Sequence, residues 1–199
     1  TVNKLIETEI IATITGIDSS QYTEIIISDL VKKIPAQAFK DCTGLKTIRI
    51  SKVLEIINNN AFENCSNLTE IILPESLNEI GSDVFKGCNN VPNVDFTPSN
   101  ILRVGENAFV GCTLTTTKLD FNLVKNIGNY AFKNCSKLTE IKLPESLIEI
   151  GINVFEGCTA VKKATFNKLI ASKTIKEIMG IEDSSQYTEI TIPNTVITI

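Results

Sequence analysis

The sequence predicts an α/β-type solenoid, a stack of coils about 23 residues long, each contributing a parallel strand and a short helical turn. Three observations lead there. One multi-position motif recurs six times at nearly constant spacing. The apolar residues after each copy alternate with period two, as in a half-buried strand. The composition, rich in Ile, with 6% aromatics and neither Trp nor His, favours extended backbone.

The motif is marked by Phe39, Phe62, Phe85, Phe109, Phe132 and Phe155, at steps of 23, 23, 24, 23 and 23 residues. Three residues after each Phe stands a Cys: Cys42, Cys65, Cys88, Cys112, Cys135 and Cys158. Five residues before it stands an aliphatic: Ile34, Ile57, Ile80, Val104, Ile127 and Ile150. Small residues precede the Phe directly (Ala38, Ala61, Val84, Ala108, Ala131, Val154). A unit this short cannot bury both of its faces alone, so equivalent residues must stack as columns against neighbouring coils.

Each element of the coil follows from its pattern. In Leu138 to Pro144, Ile141 and Leu143 fall on the inward face and Glu140 and Lys142 on the outward one. Pro144 ends that strand because it has no N–H to give to a ladder. Val154, Phe155 and Cys158 lie three or four residues apart, which predicts one helical turn facing inward. A coil is then a strand, a turn, a second extended piece and a helical turn, with parallel pairing between coils and the sheet on one face of the solenoid.

Two coils depart from the pattern. The third carries Pro92 and an extra residue near Thr97-Pro98-Ser99-Asn100. In the fourth, Thr113-Leu114-Thr115-Thr116-Thr117 shifts the apolar positions by one, and because such a slip turns side chains to the opposite face, a bulge or loop distortion is expected there. The ends resemble one another. Asn3-Lys4-Leu5-Ile6 followed by Gly16-Ile17 and Tyr22-Thr23-Glu24-Ile25 returns as Asn167-Lys168-Leu169-Ile170, Gly180-Ile181 and Tyr187-Thr188-Glu189-Ile190. The expected organisation is a single solenoid over 1–199, with a degenerate coil in 1–30, six regular Phe-Cys coils in 31–166 and a second degenerate coil in 167–199. Such a chain reads as a piece of a longer protein, with weakly polar ends open to end-to-end self-association.

The unit Ile-Gly-x-x-Ala-Phe-x-x-Cys followed by Leu-Pro after the strand resembles the BspA-type leucine-rich repeat, most clearly in Ala61 to Cys88 and Ala131 to Cys158. That resemblance implies a leucine-rich-repeat right-handed superhelix of bacterial type. It also implies display at the cell surface or secretion, and a role in adhesion.

The chemistry available narrows the functions. Without His there is no Ser-His-Asp or Cys-His pair, and no Gly-rich phosphate loop is present, so no catalytic residue is expected. The net charge of −4, with both signs interspersed, lacks the basic footprint of a nucleic-acid binder. No apolar run reaches the ~18 residues of a membrane span, so no membrane insertion is expected. The Cys ladder reads as buried thiols of the core, with disulfides and a metal site as the weaker alternatives, since metal ligands want Cys pairs two to four residues apart or Cys with His. No cofactor and no metal are expected. Asn64-Cys65-Ser66, Asn67-Leu68-Thr69 and Asn134-Cys135-Ser136 match the N-glycosylation pattern but are carried by the repeat and read as incidental.

What remains for function is the outward strand positions, which vary from coil to coil. The candidate binding face is Thr47, Arg49, Glu70, Ile72, Asn93, Asp95, Glu140, Lys142, Lys163 and Thr165. Similar positions are Glu24, Ile26, Lys118, Asp120, Glu189 and Thr191. The expected function is a non-enzymatic module binding a protein or glycan, with a ligandless structural spacer as the alternative and a carbohydrate-active enzyme using the face carboxylates as a distant one.

Overall fold

The computed structural model describes residues 22–91, 94–95, 100–114, 119–120, 123–166, 174–180 and 187–191. Its strands run β1 (Glu24–Ile26), β2 (Lys33–Ile34), β3 (Thr47–Arg49), β4 (Ile56–Ile57), β5 (Ile71–Ile72), β6 (Glu79–Ile80) and β7 (Val94–Asp95). They continue as β8 (Arg103–Val104), β9 (Leu119–Asp120), β10 (Asn126–Ile127), β11 (Glu140–Leu143), β12 (Glu149–Ile150), β13 (Lys163–Phe166) and β14 (Glu189–Thr191). All pairing between them is parallel, one coil to the next.

The strands sort into two sets. The six two-residue strands β2, β4, β6, β8, β10 and β12 form one unbroken ladder, with Ile34, Ile57, Ile80, Val104, Ile127 and Ile150 in register. This is the second extended piece of each coil, and it makes the longest sheet among the described residues. The other strands fall into three groups: β1 with β3, β5 with β7, and β9 with β11, β13 and β14. The Thr47–Glu70 bridge links the first group to the second, beside the Thr69 N–H that donates to the Lys46 carbonyl at 3.0 Å.

The expected helical turn is corrected by the structure. The Phe-Cys stretch is a run of tight turns, because each coil holds two residues in the left-handed region, two before and two after the Phe. In the second coil these are Asn60 (φ 60°) and Asn64 (φ 61°). Left-handed residues interrupt an α-helix, and Asn, Asp and Gly bear the conformation at least cost. Donors therefore alternate. Ala61, Glu63 and Cys65 donate to carbonyls three residues back in their own coil, at 3.2–3.3 Å. Asn60, Phe62 and Asn64 donate to Ser82, Val84 and Lys86 of the next coil at 2.9, 3.0 and 2.8 Å. On the ladder side the direction reverses, and Gly81 N–H donates to the Ile57 carbonyl of the preceding coil at 2.8 Å. Each coil is thus bonded to both neighbours along its main chain.

A helix does form where none was expected. Ile175–Met179 starts at Thr174, whose side chain caps the Glu177 N–H while the Glu177 carboxylate bonds back to the Thr174 N–H, and ends at left-handed Gly180 (φ 64°). It takes the place of a Phe-Cys turn. The Asn153 and Phe155 N–H groups donate to the Glu177 and Ile178 carbonyls, and Ile178 and Met179 are buried in the core.

Of the irregular coils, Pro92, Thr97–Ser99 and Thr115–Thr117 lie outside the described residues, as do the end segments 1–21, 167–173, 181–186 and 192–199. In the fourth coil Leu119 stands seven residues after its Cys, where Ile141 stands six after its own. The two still pair, so the register is restored by the time β9 begins.

Candidate functional site

The outward face rests on two inward columns. Successive Phe rings, from Phe39 to Phe155, stack with centroids 5.1–5.7 Å apart and planes within 24° of parallel. Each ring is almost wholly buried, worth roughly 1.5–3 kcal/mol apiece. Beside them the thiols of Cys65, Cys88, Cys112, Cys135 and Cys158 each donate to the Phe carbonyl of the preceding coil, at 3.1–3.3 Å. All six Cys are buried and none is in a disulfide. Burial pushes the Cys112 thiol far above its ordinary value, and the adjacent Cys88 thiol together with burial does the same to Cys65. Such groups carry almost no thiolate, the form that ligates metal or reacts. Among the described residues no three His, Cys, Asp or Glu side chains are grouped to hold a metal ion, and no helix is long and apolar enough to cross a membrane.

With this core holding the strands, the outward residues stand in two rows. One holds Glu24, Thr47 and Glu70, then Glu140, Lys163 and Glu189; the other holds Ile26 and Arg49, Ile72 and Asp95, then Asp120, Lys142, Thr165 and Thr191. Asn93 and Lys118 lie outside the described residues, and for Asp95 and Asp120 only the main chain is described.

The structure brings four of the candidate residues together. Thr47, Arg49, Glu70 and Ile72 line a hollow of about 460 Å³ with Ile48, Ile50, Lys52 and Pro74. Its chemistry is mixed: Ile72 is 63% exposed, while Arg49 and Lys52 supply positive charge beside it and Glu70 negative charge. Arg49 Nε donates to Glu24 Oε1 at 2.8 Å, but both side chains are well exposed, and a pair of that kind is worth about 0–1 kcal/mol. Arg49 is therefore free to exchange Glu24 for an incoming acceptor at little cost. Glu140, Lys142, Lys163 and Thr165 make a separate group on β11 and β13, with Glu140 beside Lys163 and Lys142 beside Thr165. Lys163 also pairs with Glu189 at 3.4 Å. Among the described residues no pairing joins β7 to β9, and the candidates whose side chains are described fall into two clusters, Thr47, Arg49, Glu70 and Ile72 in one and Glu140, Lys142, Lys163 and Thr165 in the other.

Sequence reasoning missed Ile50, Lys52 and Pro74. Ile50 stands eight residues after Cys42, as inward Leu143 does after Cys135, yet it is only partly buried, packs against the core and also edges the hollow. The signal for Lys52 and Pro74 was weak, because both stand in the turn beyond the strand, where alternation stops.

A family model described as the BspA type leucine-rich repeat region matches residues 17–124 and 104–199, with six copies. Among solved structures, the chain is similar to a leucine-rich repeat protein from Eubacterium ventriosum, at 27% identity and a TM-score of 0.63, over 75% of this chain and 40% of that one. It is similar to a leucine-rich cell surface protein from Faecalibacterium prausnitzii at 31% identity and a TM-score of 0.60, over 71% of this chain and 38% of that one. A leucine-rich repeat protein of T. pallidum shares the fold at 19% identity and a TM-score of 0.52, over 86% of this chain and 70% of that one. No curated protein matches. The chain spans two fifths or less of the first two structures' own length.

Proposed function

Because the chain belongs to the BspA-type leucine-rich repeat family, we propose that it is a non-enzymatic recognition module of a surface-displayed or secreted bacterial protein, binding a protein or glycan through the outward strands. The observation that carries this reading is the hollow formed by Thr47, Arg49, Glu70 and Ile72. Its volume falls in the ~300–1,000 Å³ range of ligand sites, and it sets an exposed apolar residue between charges. That mixture suits a protein segment with an apolar anchor flanked by carboxylates more than it suits a sugar. Surface display is supported by the likeness to the F. prausnitzii cell surface protein.

The test is an array of matrix proteins and glycans probed with the native chain and with the Arg49→Ala/Ile72→Ala double variant. The expected result is saturable binding to one class of partner, weakened about tenfold or more in the variant at unchanged thermal unfolding temperature. No saturable partner in either form would sink the proposal and leave a spacer.

A further inference from the structure

We propose that the unbroken ladder carries a second recognition site, a polar groove for a neutral, hydroxyl-rich oligosaccharide. It shares no residue with the hollow and does not depend on it.

The groove begins with the glycines that follow the inward aliphatics of the ladder. A Cβ placed on Gly105 would come within 2.5 Å of the Gly81 carbonyl oxygen and the Ser82 nitrogen; one on Gly128 would come within 2.5 Å of the Glu106 nitrogen. Coils approach so closely here that no side chain fits, and the main chain forms the base of a trough. It is lined by one position in three successive coils, Arg103, Asn126 and Glu149, and by a second repeated position, Ser82, Glu106 and Asn129. The trough is open to solvent and has a volume of about 500 Å³. Val104 and Ile127, also at the base, are buried and offer it no apolar side chain.

The donor set favours hydroxyl groups. One guanidinium, two carboxylates, two carboxamides and a hydroxyl give paired donors and acceptors at close range. The carboxylate excess disfavours phosphate and other polyanions, and the lack of an apolar recess removes the anchor that protein partners usually bury. Asn129 is fixed by its Oδ1, which accepts the Ile152 N–H at 3.0 Å, while Asn126 and Arg103 are held only lightly. Asn126 Nδ2 donates to Glu149 Oε2 at 3.2 Å, and Arg103 pairs with Glu79 at 3.4 Å with most of its side chain exposed. These weak contacts can be traded for ligand hydroxyls. Neighbouring strands of a ladder stand ~4.8 Å apart, close to the length of one sugar ring in an extended chain. Arg103, Asn126 and Glu149 therefore present one polar side chain to each of three consecutive sugar units.

The experiment titrates the chain with neutral oligosaccharides of the cellulose, chitin and mannan types, from single sugars upward. Affinity should rise with length to the trisaccharide and then level off. Asn126→Ala/Glu149→Ala should weaken the best of them about tenfold or more at unchanged unfolding temperature, while Arg49→Ala/Ile72→Ala leaves it intact. Absence of binding to every oligosaccharide, binding independent of length, or binding that survives the Asn126/Glu149 change would each overturn the assignment. So would a groove that takes only a cationic peptide.

Discussion

The two sets of strands obey the same repeat and yet differ in continuity. Among the described residues the ladder from β2 to β12 runs through six coils without a gap, whereas the outward strands show no pairing between β7 and β9 and thin to a single bridge between Thr47 and Glu70. Both irregularities of the repeat lie in the stretch of sequence between a Cys and the next inward aliphatic: the one added residue near Thr97-Pro98-Ser99-Asn100 and the shift in Thr113-Leu114-Thr115-Thr116-Thr117, which leaves that coil at 23 residues. The ladder is pinned on one flank by backbone packed against backbone at the glycines and leads directly into the buried Phe and Cys columns, so an extra residue there has nowhere to go. The outward strands border solvent, where an added residue costs little more than loop entropy. The regular side fixes the stack, and the irregular side is where residues vary.

This contrast can be broken. The largest effect is expected at the shared core: Phe85→Ala should cost about 3–5 kcal/mol in chemical denaturation, because the neighbouring rings cannot close the gap in the column. A loss below about 1 kcal/mol would refute the stacked core. Next comes the ladder itself. Gly128→Ala should cost about 1–3 kcal/mol, since the new methyl meets the Glu106 main chain rather than a movable side chain. A neutral result would show that the coils can part, and the supposed rigidity of the ladder side would fall.

The smallest effect sharpens how coils are joined on the turn side. Glu63, largely buried, bonds Lys40 at 2.8 Å and lies 3.6 Å from Lys86, so it spans three coils. The Lys40 ammonium holds its carboxyl below the ordinary value of 4.5 despite the opposing effect of burial. Because the folded form binds the proton less readily than the unfolded chain, this contribution is complete above 4.5 and is lost as pH falls through the lower folded value. Unfolding followed from neutral to acid pH should show a smaller acid loss in Glu63→Gln than in the native chain. Parallel curves would remove Glu63 from the account.

Much of this molecule was legible in its residues. Spacing alone located the Phe and Cys columns and the inward aliphatics, because a column repeats whenever equivalent residues occupy one buried line. The Phe-Cys turn was misread as helical because Val154, Phe155 and Cys158 have helical spacing, while the left-handed residues that interrupt it, such as Asn153 and Gly157, are visible only as a preference for Asn, Asp and Gly. The helix Ile175–Met179 had a signal in Thr174, Glu177 and Gly180, a capping box and a terminal glycine, but apolar periodicity over five residues is too short to find it.

The sequence by itself determined the coil length, the identity of the buried columns and the parallel stacking, since each follows from which side chains leave water. Tertiary structure alone decided which outward residues meet. Arg49 and Ile72, 23 residues apart, share a hollow, as Arg103, Asn126 and Glu149 share a groove, while Arg49 and Lys142 stand on separate sheets. Solvent imposes no periodicity on exposed positions, so their grouping depends on where the coils stay in register and where they part.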